Sequence, residues 1–77
     1  MNSVTVYTTN RCPYCVMIKN FLKDQNVNFK EVNVEENPEL MKQLIQKTGQ
    51  MGVPQTEING QWVLGFDPNK IMAILNQ

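Results

Sequence analysis

Three Xaa-Pro pairs, Cys12-Pro13, Asn37-Pro38 and Asp67-Pro68, constrain this chain more than any other feature, because each puts proline where a helix can begin. Proline has no N–H to donate, and the first turn of a helix leaves its N–H groups unpaired in any case. It is therefore at home at the first helical position and disruptive further in. Asn37 and Asp67 are capping types, whose side-chain oxygens accept from first-turn N–H groups. Apolar residues follow each pair at helical spacing: Tyr14, Met17, Ile18, Phe21 and Leu22, then Leu40, Met41, Leu44 and Ile45, then Ile71, Ile74 and Leu75. The first helix is expected to end near Gln25-Asn26. Gly49 is placed to close the second in the left-handed conformation, and Glu35, Glu36 and Glu39 suit that helix's positive dipole end.

Strands fill the intervals. Residues 3–8 alternate polar and apolar types and are rich in β-branched ones, and residues 28–34 alternate around Phe29, Val32 and Val34. Residues 54–58 and 61–64 form two short strands joined by Asn59-Gly60, a strong signal for a two-residue hairpin turn. The order is strand, helix, strand, helix, strand, strand, helix. The fold class is thus α/β, with a four-stranded mixed sheet flanked by three helices. A right-handed crossover makes the first two strands parallel, and the hairpin adds antiparallel ones. With 77 residues there is room for a single domain over 1–77 and one shared core, since chains of this size bury only about 60% of their unfolded surface.

Seven basic and seven acidic residues balance, so no basic field steers the chain toward nucleic acid. The first residues lack the basic and apolar regions of a signal peptide, and no apolar run approaches membrane-spanning length. A cytoplasmic monomer without membrane contact is expected. In a reducing compartment two cysteines spaced C-x-x-C point to redox or metal chemistry. The absence of histidine removes imidazole as base, ligand or pH switch.

Cys12 falls where a strand ends and a helix begins, near unpaired N–H groups and the positive dipole end, with Arg11 adjacent. Such settings lower a thiol's pKa to roughly 3.5–7.5 from about 8.5. Cys12 is therefore read as the nucleophile, and Cys15, one turn deeper, as the resolving thiol. A drop of about three units would raise the thiolate fraction roughly 30-fold while lowering intrinsic nucleophilicity roughly 15- to 30-fold. The two nearly cancel, and the larger benefit is that a low-pKa sulfur also leaves readily. A purely structural disulfide is the bland alternative, but closing so short a loop contributes only about 2 kcal/mol. A closed zinc site needs four ligands, so metal, including an iron–sulfur cluster, would require a second chain. No metal is expected.

Tyr7-Thr8, Cys12-Pro13-Tyr14-Cys15, Val53-Pro54 and Gly65-Phe66-Asp67 together resemble the glutaredoxin family in order and spacing over nearly the whole chain. The resemblance implies a thioredoxin fold, glutathione as co-substrate, and reduction of protein disulfides and glutathione mixed disulfides. It also implies a cis bond before Pro54, with the Val53 backbone presented to an extended sulfur substrate. The glutathione γ-glutamyl carboxylate would meet the Phe66-Asp67 amides, in keeping with the anion preference of a helix start. Tyr14 would line the groove, and Gly65, Arg11 and Gln50 complete the implied glutathione site. Asp67 would receive the ligand amine or cap the last helix. The chain departs from the family pattern at Thr9, where a lysine is usual, and at Leu64-Gly65, where two glycines are usual. The 65–71 segment also resembles the glutaredoxin-like redoxins that draw electrons from thioredoxin reductase and serve ribonucleotide reductase, which keeps that second assignment open. Trp62 is expected to cover one side of the sheet, and the five scattered methionines to pack in the core.

Overall fold

The computed structural model describes residues 2–77. The chain runs β1 (Val4–Thr8), α1 (Pro13–Asp24), β2 (Lys30–Asn33), α2 (Pro38–Thr48), β3 (Gln55–Ile58), β4 (Gln61–Leu64) and α3 (Pro68–Leu75). Each proline pair does begin a helix, with Cys12, Asn37 and Asp67 as the capping residues. Asn37 Oδ1 accepts from the Leu40 N–H at 3.3 Å and Asp67 Oδ1 from the Lys70 N–H at 3.1 Å. Gly49 closes α2 at φ 73°, its N–H donating to Ile45 O at 2.7 Å, as the left-handed C-terminal position requires.

The sheet has the order β2-β1-β3-β4. β2 runs parallel to β1, and β3 antiparallel to both β1 and β4. β2 is shorter than the sequence pattern suggests because β1, its partner, ends at Thr8 opposite Asn33. Val34 still donates its N–H to Thr8 O at 2.9 Å and is buried. β3 starts at Gln55 rather than residue 54, and Pro54 has no N–H to contribute to a ladder.

Val4, Val6, Ile58 and Val63 on one face of the sheet pack with Ile18 and Leu22 of α1 and Ile71 and Ile74 of α3. The buried face of α1 is Cys15, Ile18 and Leu22, while Tyr14 and Met17 stand 60% and 45% exposed. The expected stripe of Tyr14, Met17, Ile18, Phe21 and Leu22 thus holds for Ile18 and Leu22 and is corrected at Met17 and at Tyr14, for which the groove is the other expectation. Cys15 joins the inward face as a small hydrophobe, and Phe21 packs half-buried against the core. Met51 is likewise 69% exposed, against the expectation of core packing for the methionines. On the other face Tyr7 and Trp62 approach with ring centroids 5.6 Å apart, so Trp62 does cover the sheet. Burial, and then the Glu57 charge, push the Tyr7 phenol above its ordinary pKa.

The β3–β4 turn places Asn59 at φ 52° and Gly60 at φ 85°. The Asn59 side chain also ties the turn to the start of β1: its Oδ1 accepts from the Ser3 N–H at 2.8 Å, and its Nδ2 donates to Asn2 Oδ1 at 2.8 Å. Asn59→Ala combines a strained left-handed alanine with two lost bonds and should cost about 1–2 kcal/mol. Asn59→Gly relieves the strain alone and should recover about half of that in urea unfolding.

Along the β2 edge, Glu31 Oε2 accepts from Lys19 Nζ at 3.0 Å and from the buried Thr8 hydroxyl at 2.8 Å. The Lys19 bond, more than any other influence, holds the Glu31 carboxyl below its ordinary range, against the opposing effect of burial. A depressed carboxylate pKa stabilises the fold above the unfolded-state pKa, and that contribution vanishes as pH falls through the folded value. With the Glu31 side chain 40% exposed, the effect should stay below about 1 kcal/mol. Glu31→Gln is expected to flatten part of the fall in Tm on acidification below about pH 4.5, and an unchanged acid limb would refute this coupling.

Candidate active site

β1 delivers the chain to a loop, residues 9–11, and then to Cys12 at the head of α1. Cys12 takes extended backbone angles, φ −138° and ψ 97°, as a helix-capping residue should. Its Sγ accepts from the Cys15 N–H at 3.1 Å, an unpaired first-turn group. The sulfurs of Cys12 and Cys15 are bonded to each other, with Cα atoms 5.1 Å apart. The two differ sharply in access: Cys15 is 2% exposed, whereas Cys12 is only half-buried. Of the pair, Cys12 is the residue with surface open to a partner, and Cys15 stands behind it within the helix.

The Val53-Pro54 bond is cis. Pro54 is buried, and its carbonyl accepts from the Gly65 N–H at 2.9 Å, which joins the segment before β3 to the segment before α3. Gly65 has φ 77°, a backbone angle that side chains resist. Phe66 sets its ring edge-on to Phe21 of α1, centroids 6.3 Å apart. Tyr14, Val53, Pro54, Gly65 and Phe66 thus line one cleft of about 300 Å³. None of the five carries a charge.

Five of the residues implied by the sequence resemblance converge on that cleft, and three do not line it. Arg11 and Gln50 are exposed beyond its walls, and the Asp67 carboxylate caps α3. Sequence reading missed a set of polar contacts around the loop before Cys12. The Glu35 carboxylate accepts from the Asn10 N–H at 3.3 Å and from Asn10 Nδ2 at 2.9 Å. Asn33 Nδ2 donates to Asn10 Oδ1 at 2.6 Å, while Asn33 Oδ1 accepts from the Glu35 N–H at 2.9 Å. These contacts fasten the 9–11 loop to the loop following β2. Among the described residues, no group of three or more Cys, Asp or Glu side chains is arranged to hold a metal, and no helix is long and apolar enough to cross a membrane.

The family model described as Glutaredoxin matches residues 4–63. A glutaredoxin of Pseudomonas aeruginosa is 40% identical over 67 residues, covering 87% of this chain and 80% of the relative. The glutaredoxin-like protein NrdH of Lactococcus lactis is 32% identical over 71 residues, covering 92% of this chain and 97% of the relative. Among solved structures, the thioredoxin-like protein BC3987 superposes with a TM-score of 0.86 at 32% identity, over 94% of this chain and 99% of the other. The arrangement of four strands and three helices is therefore that of the thioredoxin fold.

Proposed function

The chain belongs to the glutaredoxin family of thiol-disulfide oxidoreductases, and from that premise we propose that it reduces protein disulfides and glutathione mixed disulfides through Cys12 and Cys15, with glutathione as its reductant. The observation that carries this reading is the contrast between a half-buried cysteine at a helix start and a fully buried one bonded to it, with Tyr14 between them lining an uncharged cleft. In the reduced protein the Cys12 thiolate attacks one sulfur of the substrate disulfide. A mixed disulfide forms, and the other substrate sulfur leaves as a thiolate that takes a proton. Cys15, losing its proton, then attacks the Cys12 sulfur, forms the Cys12–Cys15 disulfide and releases the second substrate thiolate. The substrate gains two electrons and two protons, and the protein dithiol loses them. Two glutathione thiols restore the dithiol and leave as glutathione disulfide.

In this reading the Val53 backbone pairs with an extended substrate as an added strand. The amides of Phe66 and Asp67, at the start of α3, receive a substrate carboxylate. Tyr14, Pro54 and Gly65 supply apolar walls, and Arg11 and Gln50 act from outside the cleft. Disulfide-bearing or glutathionylated proteins of the reducing cytoplasm are the partners.

A second reading has an observation in its favour. The cleft presents no cation to the two carboxylates of glutathione, and Thr9 stands where the family usually has lysine. An electron supply from thioredoxin reductase, with ribonucleotide reductase as acceptor, suits such a cleft, and the likeness to an NrdH supports it. Two coupled assays separate the readings, one with glutathione and glutathione reductase, the other with thioredoxin reductase. Turnover in the first supports the preferred reading; turnover only in the second would replace it.

A further inference from the structure

Gln55 opens β3 directly after Pro54, yet the mechanism above makes no use of its side chain. The residue is 1% exposed. Its Nε2 donates to Gln50 O at 3.0 Å and to Gly52 O at 2.9 Å. One buried amide thus grips the 50–52 segment at both ends, immediately before Val53. Gln50, Met51 and Gly52 are exposed and outside any helix or strand.

The other half of the amide is poorly served. Gln55 Oε1 is buried without a hydrogen-bond partner, an arrangement that weakens a fold. If filling space were all that the position required, an apolar side chain of the same length would do it better. What glutamine adds is a pair of donors converging on two main-chain oxygens. Two bonds from one buried side chain hold exposed residues that no helix or strand orders, so they fix the course of the segment.

We propose that Gln55 is a positioning residue: its buried amide fixes the 50–53 segment and, through it, the Val53 backbone that receives the substrate chain. The proposal rests on the reading of Val53 as the strand partner of an extended substrate. It assigns specificity for extended disulfides over small ones to a side chain that touches neither sulfur.

Gln55→Met keeps the volume while removing both donors and the orphan acceptor, so its thermal midpoint should stay near that of the wild type. With dithiothreitol as reductant, KM for a synthetic peptide closed by one disulfide is expected to rise about tenfold, with kcat changed less than about twofold. Reduction of bis(2-hydroxyethyl) disulfide and the pH profile of iodoacetamide alkylation at Cys12 should be unaltered. Backbone 15N order parameters at residues 51–53 should fall toward those of a flexible segment. Gln55→Asn, one methylene too short to reach both carbonyls, should fall between the two and keeps the test open if the methionine variant fails to fold. An unchanged peptide KM would overturn the proposal, as would an alkylation profile that shifts together with KM. A wild-type chain that reduces no peptide disulfide would instead overturn the proposed function. The order-parameter measurement, made without substrate, would then decide separately whether Gln55 holds the segment, and unchanged values would refute that too.

Discussion

Cys12→Ser is expected to reduce both protein-disulfide and glutathione-dependent exchange to background, whereas Cys15→Ser should keep part of the activity toward glutathione mixed disulfides and lose that toward protein disulfides. The reason lies in access and order of attack. A serine hydroxyl is not ionised near neutral pH and cannot replace the thiolate that makes first contact. In the proposed order Cys15 enters only afterwards, and a small external thiol could take over its task with glutathione bound at Cys12. A folded protein partner shields the mixed disulfide from such rescue, so the Cys15→Ser protein should accumulate as a covalent adduct visible by intact-mass measurement. The opposite pattern, with activity surviving loss of Cys12, would reverse the assignment of the two sulfurs.

Ile18→Ala is expected to be strongly destabilising, on a par with truncation of Leu22 beside it on the buried face of α1. Ile18 is fully buried between Cys15 and Leu22 on the inward face and belongs to the core cluster with Val6 and Ile71. Removing its outer methyl and methylene groups leaves a cavity and should cost about 2–5 kcal/mol. A domain of this size has only about 4–12 kcal/mol to lose. The corresponding fall in Tm is about 10–30 °C, and Ile18→Val should lose no more than about 1.5 kcal/mol. Calorimetry of the reduced and oxidised proteins would check both figures. A shift below a few degrees for Ile18→Ala would mean that α1 is anchored by something other than this face.

These expectations draw unequally on sequence and structure. The helix starts at Asn37-Pro38 and Asp67-Pro68 and the turn at Asn59-Gly60 are legible in the chain because their chemistry is local: a short polar side chain reaches an N–H three residues away, or a backbone angle demands glycine. Ile18 and Leu22 on the inward face of α1 are legible from spacing, but Cys15 is not, because it reads as chemistry while in the folded chain it is also packing. The cis Val53-Pro54 bond was anticipated only through family resemblance. Asn10, Asn33 and Glu35 could not be found in advance, since side-chain hydrogen bonds between residues far apart in sequence leave no periodicity. Gln55 was hidden for a related reason, its polar group lying in a strand that alternation alone describes as half-buried. Asp67 shows the converse: its capping role followed from sequence, and the structure gives that role a partner in the Lys70 N–H.

The strand order carries a consequence for the life of the chain on the ribosome. β3 lies between β1 and β4 in the sheet but is made long after β1. Until Ile58 has emerged, the inner edge of β1 has no neighbour, and α1 rests on a sheet lacking half its width. The cysteine pair is thus synthesised before the two strands that complete the sheet under its helix.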